Sequence, residues 1–354
     1  MAYTTIDNPE LYFQTKLYTG NGSNNHAITF DGSENMQPDW VWIKGRSVAE
    51  NHNVYDSVRG AGIRLIPNGG NNDTTKTDTH KSFDSDGFTI DLGAEVNDNS
   101  QTFVSWNWKA GTSFSNSGGS NGADLASSGT FNRTAGFSIV TFTGNATANQ
   151  QIYHGLNSVP KWMVLKNRTN TNNESWCVYH EFLGNTKKLT LNTTATANTD
   201  TEFWQDTTPT STVFTVGRQD AVNGSGNTHV VYCFSEIQGY SKFGKYQGNG
   251  NANGTYAYTG FKPAFVMVRD PNNAENWLMY DNKRPGFNVT NNHMMANDST
   301  TETASTANIM DFLSNGFKIR STNNGLNRSG GTFLYFAFAE SPFVNSNGVP
   351  TTAR

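Results

Sequence analysis

Apolar residues in this chain come in short runs bounded by clusters of Asn, Gly, Asp, Ser and Thr, and none of these runs shows the 3.6-residue stripe of an amphipathic helix. Trp40-Val-Trp-Ile43 is apolar at every position, the pattern of a strand covered on both faces. Val213-Phe-Thr-Val216 mixes in polar positions. Turn signals recur at intervals of roughly 8 to 15 residues, and helical crossovers are missing, so the predicted strands pair antiparallel. The pattern predicts an all-β chain of antiparallel β-sandwiches of jelly-roll type.

The same pattern is written three times. Pro38–Lys44, Pro160–Lys166 and Pro263–Arg269 each open on proline, continue through an apolar run and end on a cation, Lys44, Lys166 or Arg269. A glycine turn behind an aromatic precedes each run, at Tyr18-Thr-Gly20, Phe142-Thr-Gly144 and Tyr246-Gln-Gly248. A second short strand follows, ending Tyr55-Asp56, Tyr179-His180 and Tyr280-Asp281. Phe83–Ile90 and Phe312–Ile319 answer each other, with Thr212–Val216 as a degenerate middle copy, and each unit closes on an aromatic strand. A period of roughly 100 to 120 residues is too long for a solenoid or propeller blade and has the size of a domain.

Three tandem homologous sandwiches are therefore expected at 16–110, 136–238 and 239–345. Residues 1–15 read as an N-terminal anchoring segment in which Leu11, Tyr12 and Phe13 are the docking groups, since this stretch has no copy elsewhere. The Gly/Ser/Asn-rich stretch 111–135 reads as a flexible linker and 346–354 as a C-terminal tail. The second joint, Ile237–Gly244, carries two rings and predicts a fixed interface.

Composition narrows the function classes. Aromatics reach 12% against 35% hydrophobic residues overall, which suits small sandwiches filled by large rings. Charge is sparse at 15%, the net charge is −4, and the cations are scattered, which argues against nucleic acid as a partner. Cys177 and Cys233 lie in apolar strand patterns and read as small buried hydrophobes. No apolar run reaches the roughly 20 residues of a membrane helix. The first residues lack the basic and apolar regions of a signal peptide, so synthesis in a cytoplasm without export by that route is expected.

Candidate chemistry is thin. Asp84-Ser-Asp86-Gly87 brings two acids close together, yet its third copy keeps only Asn315-Gly316, which marks a hairpin turn rather than a metal site. Glu236 and Glu340 hold matching places without a recurring second acid, as a glycosidase pair would require. No metal-binding histidine spacing, nucleophile elbow or phosphate loop is present, so no catalytic residue, metal or cofactor is assigned. The repeated cations Lys44, Lys166 and Arg269 are expected to pair with acids of their own domains such as Asp56 and Asp281. Trp204, with its neighbour Phe203, lies in a polar stretch without a counterpart in the other units and is the candidate for an exposed glycan contact.

Tyr18–Gly22, Trp42–Lys44, Tyr55–Gly60, Phe83–Phe88 and Gly239–Gly244 together resemble a family of repeated domains of unknown function found in structural and tail-fibre-like proteins of marine tailed phages, some with a concanavalin-like sandwich assignment. The resemblance covers essentially the whole chain and brings no binding residues with it. It implies a virion context; together with the three sandwiches, the free aromatics and the missing catalytic set, the leading expectation is a non-enzymatic virion protein on the particle surface, a tail-fibre or tail-appendage protein aiding adsorption to host surface glycans. Its implied partners are other tail or capsid proteins and further copies of itself. A head decoration protein held by the N-terminal segment and a glycan depolymerase are the alternative expectations.

Overall fold

The computed structural model describes residues 3–170 and 172–351. The chain is almost entirely β, and among the described residues its strands pair antiparallel, apart from one isolated parallel bridge between Leu125 and Ile152. Three large sheets share one strand order. In the first it runs Phe13–Thr19, Thr102–Trp108, Trp40–Gly45, Asn53–Asp56, Gly60–Leu65 and Thr74–Thr75. The third repeats it with Ser241–Gln247, Thr332–Pro342, Phe261–Arg269, Leu278–Asp281, Asn292–Met295 and Thr303–Ala304. The second has the same order from Phe137–Thr143 through Thr228–Phe234, Trp162–Asn167, Cys177–His180 and Lys187–Thr190 to Asn198–Thr199. A small sheet backs each one, making three sandwiches, referred to below as units.

Alternation explains why the central strands are apolar throughout. In Trp40–Gly45, Val41 and Ile43 face the small sheet of their own unit, while Trp40 and Trp42 point the other way, into a core shared by all three units. In that shared core Trp40 stacks on Tyr232 of the second unit (4.4 Å between centroids), Trp162 packs on Phe336 of the third (4.3 Å), and Phe13 stacks on Phe338 (5.3 Å). The central strands of the large sheets are thus buried on both faces, which a lone sandwich would not require. Among the described residues no helix is long and apolar enough to cross a membrane.

Three organisational expectations fail. Residues 111–135 are no flexible linker: Thr112–Asn116 and Ser127–Asn132 form a hairpin that extends the second sheet, Ser127–Asn132 pairing with Phe137–Thr143. Backbone hydrogen bonds along a sheet edge order this small, polar sequence irrespective of side-chain bulk. Residues 1–15 are not a separate anchor, because the strand Phe13–Thr19 runs through the expected boundary and the Thr4 hydroxyl donates to the Gln238 carbonyl (2.8 Å). The part of 346–354 within the described residues is also tied down: the Ser346 backbone N–H donates to Asp7 (2.6 Å), while 352–354 lie outside them.

Candidate functional site

The residues that recur in the three copies gather at the junctions between units, where they act structurally. Arg59 donates to Asp56 at 2.5 Å and Arg284 to Asp281 at 2.6 Å, both pairs fully enclosed. Each acid also accepts from a ring of the next unit: the Tyr232 hydroxyl reaches Asp56 at 2.7 Å, and the Trp106 indole N–H reaches Asp281 at 3.1 Å. In the second unit the equivalent residues are His180 and Leu183, and the ring they meet is Phe336, 5.1 Å away and edge-on. Phe336 has no polar hydrogen to donate, so an acid there would lose its cross-unit partner, and burial holds His180 neutral by pushing its pKa down to about 3.

A second contact circles the same junctions. His52, Trp176 and Trp277 occupy one repeat position, immediately ahead of the tyrosine-bearing strand. Trp176 Nε1 donates to the Ile66 carbonyl (3.0 Å), Trp277 Nε1 to the Thr190 carbonyl (2.9 Å), and His52 Nε2 meets the Met295 carbonyl (3.0 Å). The Trp42 indole donates to His52 Nδ1 at 2.8 Å, which leaves the histidine proton on Nε2 for Met295. Each unit thereby reaches into the one before it.

The repeated cations depart from expectation. Lys44, Lys166 and Arg269 are fully buried and do not pair with Asp56 or Asp281, which already hold Arg59 and Arg284. Lys44 Nζ donates to the Gly45 carbonyl (2.8 Å), Lys166 Nζ to the Asn167 carbonyl (2.6 Å), and Arg269 to the Thr194 and Ala195 carbonyls (2.8 and 2.7 Å). Burial pushes both lysines down to about 8 and Arg269 to about 10. Their direct hydrogen-bond partners are backbone carbonyls, with carboxylates such as Glu50, Glu174 and Asp270 acting only from farther away.

Trp204 and Phe203 are buried, so neither offers a surface to a glycan. The Asp200 side chain caps the short helix Thr201–Trp204, accepting from the Glu202 N–H, and the helix turns both rings inward. It stands where the first and third units place the strands His80–Asp84 and Met310–Leu313, which the second unit's two-stranded small sheet lacks. Trp204 then meets Tyr179 edge-on at 5.8 Å, and Lys188 sits over Phe203 at 4.4 Å. The anchoring candidates are likewise occupied: Phe13 is core, Tyr12 packs on Tyr240 at 6.0 Å, and Leu11 is half-buried beside them.

Sequence reading overlooked Asn97, Asn223 and Asn327, all fully buried. Each sits five residues ahead of the threonine that opens its closing strand (Thr102, Thr228 or Thr332), after Val96, Val222 or Leu326, a spacing visible in the sequence. Their amides clasp the glycine turns: Asn97 Oδ1 accepts from the Asn21 N–H (2.8 Å), Asn223 from Asn145 (3.0 Å) and Asn327 from Asn249 (2.9 Å). Gly20 must be glycine because a Cβ there would lie 2.2 Å from the Asp98 carbonyl oxygen.

One junction leaves a concavity. Between the second and third units a groove of about 360 Å³ runs from Phe182 past Lys245 and Tyr335 to the Lys242–Glu236 ion pair (2.7 Å). It adjoins a hollow of about 240 Å³ beside Tyr258. Glu340 binds Lys262 of its own unit at 2.8 Å, while Glu236 binds Lys242 across the junction, so both glutamates are engaged with cations. Among the described residues no group of His, Cys, Asp and Glu could hold a metal ion.

A family of domains of unknown function, DUF7483, matches residues 8–342. No curated protein and no solved structure matches the chain.

Proposed function

The chain belongs to the DUF7483 family of domains of unknown function, and from that premise we propose that it is a non-enzymatic structural and adhesive protein of a phage particle, a tail-fibre or tail-appendage component that contacts host surface glycans. The observation that carries this reading is the shared aromatic core, which welds three sandwiches into one rigid body instead of three modules on flexible joints. Rigidity and displayed surface suit a part that must hold a binding face outward from a particle. The groove at the second junction supplies such a face. The phage context rests on the motif resemblance described above.

A head decoration role drew its support from a free N-terminal anchor, and that segment is packed against the third unit. The test is the copy number and position of this chain in intact particles, by mass quantification against the major capsid protein together with particle imaging. A few to a few tens of copies at the tail, with adsorption blocked by antibodies against the chain, supports the proposal. Copies comparable to the capsid protein, or undiminished adsorption, overturn it.

A further inference from the structure

The junction between the second and third units, which holds no buried Asp–Arg pair, departs from the others on its outer rim as well. Two residues past His180 the second unit carries Phe182, where the other units have Val58 and Lys283. Facing it is Lys245, where the opening strands of the other units have Leu17 and Thr141. Val58 and Leu17 pack against the shared core, and Lys283 lies 3.7 Å from Asp31. Phe182 remains 48% exposed, with the Lys245 ammonium 4.9 Å above its ring. Packing does not require an exposed ring here, since the other two junctions close without one.

The floor of the groove is specific to this junction as well. Gly244 lies directly opposite Tyr335, and a Cβ at Gly244 would come within 2.3 Å of the tyrosine ring. The same strand position carries Lys16 and Val140 in the other units. Loss of that side chain lets Tyr335 line the groove, its hydroxyl donating to the Tyr258 carbonyl at 3.3 Å. At the far end Tyr258 is 51% exposed.

We propose that this groove binds an acidic oligosaccharide, an inference that rests on the adhesive reading and specifies its ligand. Phe182 and Tyr258 offer two apolar platforms for the C–H faces of sugar rings, and the Lys242–Glu236 pair between them offers a donor and an acceptor to ring hydroxyls. The charge count selects for acid. Two of the three groove lysines are matched, Lys161 by Glu181 and Lys242 by Glu236, while Lys245 has no carboxylate at ion-pair distance among the described residues. A ligand carboxylate would complete it. A groove of this volume falls in the range of small-ligand sites, roughly 300–1,000 Å³.

The test is calorimetric titration of the full chain with short oligogalacturonates and with neutral galacto-oligosaccharides of the same length. Phe182→Ala, Lys245→Gln and, as a control on an exposed ring that does not line the groove, Phe287→Ala are compared with the wild type. The wild type should prefer the uronate. Phe182→Ala should weaken uronate binding about tenfold; Lys245→Gln should weaken it about fivefold and leave any neutral-sugar binding unchanged; Phe287→Ala should match the wild type. Unchanged melting temperatures verify that the folds are intact, because all three side chains are exposed. Uronate binding that survives both groove substitutions, or equal affinity for the neutral sugar, overturns the proposal. Absence of binding to either sugar also overturns it, while the adhesive reading is judged separately by particle location and adsorption.

Discussion

Replacing Asp56 by alanine strands Arg59, and the cost of that can be worked from the geometry. Both side chains are fully enclosed, with Arg59 Nε 2.5 Å from Asp56 Oδ2. The guanidinium also donates to the Ile63 and Val54 carbonyls at 3.0 and 3.2 Å, so it stays in place when the carboxylate is gone. The Tyr232 hydroxyl and the backbone N–H groups of Val58 and Arg59 lose their acceptor at the same time. Removing one partner of a buried pair costs about 3–5 kcal/mol. Tyr232→Phe deletes the short hydrogen bond to Asp56 together with a longer one accepted from Arg59 (3.4 Å), and should cost about 1.5–3 kcal/mol. The second unit fills the same place without an ion pair, through His180, Leu183 and the facing Phe336. The triple change Asp56→His, Arg59→Leu, Tyr232→Phe transplants that arrangement and should return to within about 1.5 kcal/mol of the native chain, as volume-matched core exchanges do. Equilibrium urea unfolding, followed by tryptophan fluorescence, measures all four proteins. A loss below about 1 kcal/mol for Asp56→Ala, or a triple variant no more stable than the single one, would refute the account.

The shared core predicts one cooperative calorimetric transition for the full chain, and an excised 136–238 fragment that does not fold because Trp162 and Phe234 lose their cover; resolved transitions or a folded fragment would contradict it. Lys44→Met should stabilise the chain at neutral pH. The folded-state pKa of about 8 lies below the ordinary 10.5, so between those values the unfolded chain binds more protons and wild-type stability rises with pH. The advantage of Lys44→Met should therefore shrink by about 3 kcal/mol across that window in a pH series of denaturation curves. His52, His80 and His180 are each pushed by burial down to about 3, so native stability is fully present above pH 6.5 and is lost as pH falls from 6.5 toward 3; midpoint temperatures measured from pH 7 to pH 4.5 should decline throughout. Trp204→Ala should cost about 3–5 kcal/mol of stability through a core cavity while leaving saccharide titrations of the folded protein unchanged.

Strand identity, antiparallel pairing and the recurring order of elements were legible because each depends on local spacing. Continuous apolar runs such as Trp40–Ile43 correctly signalled burial on both faces. What covers the second face was not legible, since Trp40 and Tyr232 belong to segments far apart in sequence that meet only when the sheets pack. The same distance hid the Tyr232 partner of Asp56 and the groove at Phe182. Trp204 misled because its polar neighbours suggest a loop, whereas a capped turn of helix rotates its ring inward. The stretch 111–135 misled for the converse reason: its backbone, which composition does not describe, finds an open sheet edge.

By itself the sequence determined the β class, the threefold recurrence and the strands that carry it, because apolar alternation, turn glycines and prolines act within a few residues of themselves. The tertiary structure decided which rings are buried, which acids meet which rings across units, and where a ring is left exposed over an unmatched lysine. Those outcomes follow from side-chain packing and desolvation between segments well separated in sequence, and no local pattern specifies such contacts.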